Sequence, residues 1–195
     1  MALFFLWSAM SLGMMVPAAL PMIASYLDIA DAASEKRISV VPAGYLIAGY
    51  GFVWLLYALA ATMVQLALKL TPLIALANEQ HRSLLLLIGG LYQFTPLKHA
   101  CLTKCRAPMP YFLANWSDGK AQVFKMGVEQ GALCLACCWA LMLLMLAAGL
   151  MNLVWMGALF ILIALEKVLP RPEPIVYGSG IGFFLVGLIG LIGST

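Results

Sequence analysis

The stretch GALCLACCWALMLLM, Gly131 to Met145, sets three of the chain's five cysteines inside a run with no charge. A segment of this composition belongs in hydrocarbon or in a protein core. Thiols placed there have three readings: small packing residues, a redox pair, or soft metal ligands.

The uncharged run is longer than the quoted stretch. Between Glu129 and Glu166 lie 36 residues without a charge. As one straight helix they would extend about 54 Å, against a hydrocarbon core of about 30 Å. A helical hairpin resolves the mismatch, turning at AAGLMN, Ala147 to Asn152, where Gly149 and Asn152 suit a turn. The rest of the chain reads the same way. Of 195 residues 64% are hydrophobic and only 10% charged, and the mean hydropathy is +1.00. Soluble domains carry about 25% charged residues, so this chain lacks the polar surface to face water.

The expected architecture is all-α: a polytopic transmembrane helical bundle of five to six spans, with residues 1–195 forming a single integral membrane domain. The spans fall near 3–27, 43–68, 72–97, 122–148, 150–168 and 177–193. Pro17 and Pro21 are expected to bend the first. The third is the weakest, because only 15 residues separate Arg82 from Lys98. It crosses by recruiting Thr71 to Gln80, or it is re-entrant, and a short interfacial or re-entrant element is expected around 83–116. Gly178, Gly182, Gly187, Gly190 and Gly193 in the last span suit close helix packing. The start, MALFFLWSAMSLGMMVPAALPM, lacks a basic n-region and is too long for a secretory signal.

Lys and Arg counts orient the chain. With six crossings, the loops at 28–42, 98–125 and 167–176 share a side and hold nine of the eleven basic residues. If Ser83–Leu97 does not cross, the loops at 69–82, 98–125 and 167–176 hold nine. Either way the 98–125 loop is cytoplasmic and the C-terminus outside, the N-terminus alone being undecided, in a prokaryotic cell (inner or plasma) membrane. In that loop Lys98, Lys104 and Arg106 suit lipid phosphates, and Tyr111, Phe112 and Trp116 the headgroup layer. The net charge of +3, spread over short loops, gives no reason to expect nucleic acid as a partner.

Three sulfur-bearing places stand out. Gly127, Gly131, Cys134, Cys138, Met142 and Met145 recur at helical steps of four and three and share one face, with Cys137 flanking it. Small residues there make a packing seam; thiolate and thioether sulfurs also suit Cu(I). In the first span Met10, Met14 and Met15 form a second soft wall, with Met22 two turns on. Third, Cys101 and Cys105 share a helix face beside His99, and their basic neighbours favour thiolate. In a reducing cytosol they stay free. Glu129 and Gln130 open the Cys134 helix, where a carboxylate suits the dipole or meets an incoming metal or proton. Glu166 and Lys167 read as interfacial charges. Nucleophile elbow, P-loop and dinucleotide fingerprints are absent from the sequence. His81 and His99, the two histidines, fall outside the core spans, which argues against haem, di-iron or zinc-protease chemistry.

GGLYQFTPLKHACLTKCRAP, then GALCLACCWALMLLMLAAGLMNLVWMGALFILIALEK, resembles an uncharacterised prokaryotic family of predicted metal-binding integral membrane proteins. SAMSLGMMVPAALPMIASY is similar to that family's Met-rich N-terminal motif. The resemblance covers most of the chain and implies a multi-span membrane protein with a metal site. By it, Cys101, Cys105, Cys134, Cys137 and Cys138 match the motif cysteines. Two positions often histidine in the family are here Lys104 and Gln130, which implies a sulfur-rich site shifted toward Cu(I), or a lost one.

The leading expectation is a soft-metal, copper-binding membrane protein that moves or delivers ions rather than transforming a substrate. Its ligands would be Cys134, Cys137, Cys138, Cys101, Cys105, Met142, Met145, Met10 and Met14. Its partners would be the lipid bilayer and other membrane subunits or a metallochaperone. The alternative is a structural or accessory subunit of a larger membrane complex. The third is a thiol–disulfide oxidoreductase using Cys134 and Cys137.

Overall fold

A computed structural model describes residues 2–70, 79–116, 119–148 and 153–193. Every regular element among them is helical: α1 (Ala2–Glu35), α2 (Gly44–Leu70), α3 (Glu79–Gln93), α4 (Pro96–Arg106), α5 (Met109–Ala114), α6 (Lys120–Ala148), α7 (Leu153–Val168) and α8 (Glu173–Gly193). Four of them, α1, α2, α6 and α8, are long and apolar enough to cross a membrane. α3 and α7, at 15 and 16 residues, fall short of a full span by themselves. Exposed Phe5, Leu20, Met63 and Ile189 on α1, α2 and α8 are consistent with a lipid-facing surface.

Local sequence explains where the helices stop. α1 runs unbroken through Pro17 and Pro21, where two ring nitrogens leave the carbonyls of Gly13 and Pro17 without their ladder donors. It ends in a Schellman motif: Ile38 N donates to Ala33 O at 3.0 Å and Arg37 N to Ser34 O at 2.9 Å. Arg37 takes the left-handed position, with φ of 58°, that glycine usually fills. The segment expected at 83–97 is two helices. Thr95 separates them, its Oγ1 accepting from Lys98 N at 3.3 Å, with Pro96 opening α4. The expected recruitment of Thr71–Gln80 and the expected turn at Ala147 to Asn152 lie largely outside the described residues, though Ala147 and Ala148 belong to α6.

The chain divides into two compact units. The first comprises Met1–Leu66 and Cys101–Leu135. Its α5 packs on α1, where Tyr26 meets the rings of Phe112 and Trp116 at centroid distances of 6.1 and 5.4 Å and donates to Val41 O. Phe112 is fully buried, a core residue rather than the headgroup anchor expected. The second unit comprises Ala67–Ala100 and Ala136–Thr195, with α3 packed along α8. Gly90, Gly180 and Gly187 form that seam: an added Cβ would come within 3.0 Å of facing atoms at each. Of the five glycines expected to pack, Gly187 does and Gly190 sits against Ser83, whereas Gly178, Gly182 and Gly193 face open space.

Candidate metal centre

In the first unit, α2 and α6 approach backbone to backbone at Gly49 and Gly127. A Cβ at Gly127 would collide with the Leu46 carbonyl oxygen, and one at Gly49 with that of Phe124. Gly131 adds a third close approach, 3.0 Å from the Val53 side chain. Two backbones this close bring the next residue of the α6 stripe, Cys134, against the α2 face. Tyr50 OH lies 3.1 Å from Cys134 Sγ. From α1, Met15 Sδ accepts from the Cys134 thiol at 3.8 Å. Cys134 and Met15 are both fully buried. A thiol and a thioether therefore meet in a protein-lined place under a tyrosine hydroxyl.

The α1 methionines expected as ligands are Met10 and Met14, whereas the contact with Cys134 comes from Met15. Met10 and Met14 are buried on the adjoining α1 face, and Met22 is buried two turns beyond Met15. Cys101 and Cys105 lie on α4 with 8% and 5% exposure, so they are enclosed helical thiols rather than accessible loop thiols. Among the described residues no group of three or more His, Cys, Asp or Glu converges as a metal cage.

In the second unit Cys137, Cys138 and Met142 are buried on α6, and the side chain of Met145 lies outside the described part. Lys167 Nζ donates to Cys137 Sγ at 3.1 Å. Lys98 and Glu166 form a buried ion pair at 2.8 Å, and Gln93 Nε2 donates to both Glu166 Oε1 and Ser179 Oγ at 3.1 Å. The residues read as lipid-facing or interfacial (Lys98, Glu166, Lys167) are interior and partnered. Burial of two lysines near a thiol and a carboxylate is tolerable only because each finds such a partner.

A cavity of about 740 Å³ in the first unit is lined by α4, α5 and α6, including Lys104, Tyr111, Glu129 and Gln130. Tyr111 OH donates to a Glu129 carboxylate oxygen, whose partner oxygen sits 3.8 Å from Lys125 Nζ. Burial foremost, then the hydrogen bond and negative charge of Glu129, raise the Tyr111 hydroxyl above its ordinary pKa. Lys104 and Gln130, the positions where the resemblance implied histidine, thus line the same cavity.

Compared with known families, residues 4–190 match the model described as PpoB2, copper chaperone. No curated protein and no solved structure gives a match. A match over nearly the whole length, on a helical chain whose interior thiol meets a thioether, means that this protein belongs to the PpoB2 copper chaperone family.

Proposed function

We propose that the protein is a membrane-embedded copper chaperone that holds Cu(I) as cargo and hands it on. The observation that carries this reading is the buried Cys134–Met15 pair, with sulfurs 3.8 Å apart. An ion making bonds of about 2.3 Å to sulfur would span that separation at an angle of about 111°. That angle fits three- or four-coordination and leaves a position for a further donor. A site closed by two fixed donors and completed by an exchanging one suits delivery better than storage.

The other sulfurs extend the reading. Cys101 and Cys105 would receive copper on the cytoplasmic side. Cys137, Cys138, Met142 and Met145 would carry the α6 stripe onward, with Met10 and Met14 as neighbouring soft donors. Five to six spans and an outside C-terminus remain part of this proposal. α8, most of whose apolar length is not buried, supports a second reading as an accessory subunit whose partner helix covers it.

The test is elemental analysis of the protein purified from native membranes, beside Cys134→Ser and Met15→Leu. Copper near one equivalent, lost in the first variant and weakened in the second, supports the site. Copper retained by Cys134→Ser overturns it.

A further inference from the structure

Within the first unit α1 and α2 are joined directly at one place and through Cys134 of α6 at another. At one, Trp7 meets Tyr57 edge-on with ring centroids 6.1 Å apart, while Trp7 Nε1 donates to Gln65 Oε1 at 2.8 Å. At the other, Met15, Cys134 and Tyr50 form the sulfur contact. Between them, α1 presents Ser11, one turn from Trp7 and one from Met15 on the same face. From α2 comes Trp54, its ring between those of Tyr50 and Tyr57 at 6.3 and 5.7 Å.

Ser11 and Trp54 are both fully buried, and Ser8, at 9% exposure, lies a turn further along α1. Among the described residues Ser8 Oγ, Ser11 Oγ and Trp54 Nε1 have no hydrogen-bond partner. Each such group left dry is destabilising, because it loses its bonds to water and gains none in the protein. Three of them along one stretch of a helix pair call for something polar between the helices. Two hydroxyls that donate and accept and one N–H that donates suit water. An apolar occupant would satisfy none of them.

The geometry points to a hydrated polar passage lined by Ser8, Ser11 and Trp54, by which the cargo ion reaches or leaves the Cys134–Met15 pair from the Trp7 end of α1. This rests on the reading of that pair as the copper site. It adds a route and its lining, both independent of the sulfur ligands.

The experiment measures reaction of introduced thiols in the purified full chain with a small cationic thiosulfonate, resolved by peptide mass spectrometry. Ser8→Cys and Ser11→Cys replace hydroxyl by thiol at little change in size. Ala18→Cys, on the same buried face beyond Met15, is the control and reacts only through local opening. The two serine positions should react on the order of tenfold or more faster than the control. Rates equal to the control mean a dry seam and overturn the passage. Prior loading with Cu(I) should slow Ser8→Cys; fast labelling that copper leaves unchanged overturns the passage as a copper route, whatever the metal content of the pair. Ser11→Ala gives an independent readout. Removing a hydroxyl that holds water slows Cu(I) uptake, whereas removing one that lacked any partner stabilises the fold and leaves uptake unchanged, which also overturns the proposal.

Discussion

Gly127→Ala tests whether the glycine crossing of α2 and α6 is what sets the Cys134 contact. The new Cβ would overlap the Leu46 carbonyl oxygen and lie 3.0 Å from Leu46 C and 3.1 Å from Tyr50 N. All three are backbone atoms of a helix, so no side-chain rotation relieves the clash. Comfortable separation is about 3.5–4.0 Å, and relieving the overlap with the Leu46 carbonyl oxygen, the closest of the three, requires the helices to part there by roughly 1.4–1.9 Å. Tyr50 OH, now 3.1 Å from Cys134 Sγ, would then stand about 4.5–5 Å away, outside hydrogen-bonding range even for sulfur. Overpacking and the lost buried bond together cost about 2–5 kcal/mol. For a chain of this size that lowers the unfolding midpoint by roughly 4–20 °C. Gly157→Ala is the control, because a Cβ there meets nothing within 4 Å and the exchange should stabilise the helix by about 0.5–1 kcal/mol. Thermal unfolding in mild detergent, with copper content measured on the same samples, reads both variants. Gly127→Ala with wild-type stability and wild-type copper would refute the argument.

Lys98→Met and Glu166→Leu should each destabilise by about 3–5 kcal/mol, the usual result of leaving one buried charge alone, while the double variant recovers most of the loss; additive effects in the cycle would contradict the pairing. Tyr111 should ionise above the ordinary tyrosine value of 10.0, seen as tyrosinate absorbance. The folded state holds that proton more tightly than the unfolded chain, so the contribution to stability is present below the unfolded pKa and is lost as pH rises past it. Glu129→Gln should lower the Tyr111 pKa part of the way, leaving the effect of burial; no change would remove Glu129 as a cause. Arg37→Gly relieves a left-handed residue at the C-terminus of α1 and should raise stability by about 0.5–1 kcal/mol net of the freer unfolded chain, checked by the unfolding midpoint.

The seam was legible because it is local. Gly127, Gly131 and Cys134 repeat at helical spacing on α6, and that spacing alone puts them on one face. Which methionine would meet Cys134 was not legible. α1 is apolar on all sides, so periodicity carries no facing information and Met10, Met14 and Met15 look alike. The Lys98–Glu166 pair escaped for another reason: its partners stand 68 positions apart, and each has the position of an ordinary interfacial charge near a helix end. The break at Thr95–Pro96 carried a readable N-cap signal that the hydropathy of the surrounding segment outweighed. Gly180 was missed because a glycine-rich helix does not announce which of its glycines meets a neighbour.

Charge explains why a thiol and a thioether make a sensible buried pair under the proposed function. Lys98 and Glu166 survive burial by neutralising each other at 2.8 Å. A Cu(I) ion bound by one thiolate and one thioether is likewise neutral overall, since the methionine sulfur brings no charge. Two thiolates would leave the enclosed site negative and two thioethers would leave it positive, and either residue of charge is penalised in a low-dielectric interior. The pairing of Cys134 with Met15 therefore matches a singly charged soft cation more closely than a divalent one, which would leave the same donor set with an uncompensated positive charge. Under the proposed function, selectivity for Cu(I) over Zn(II) at this position would rest on charge as much as on the softness of sulfur.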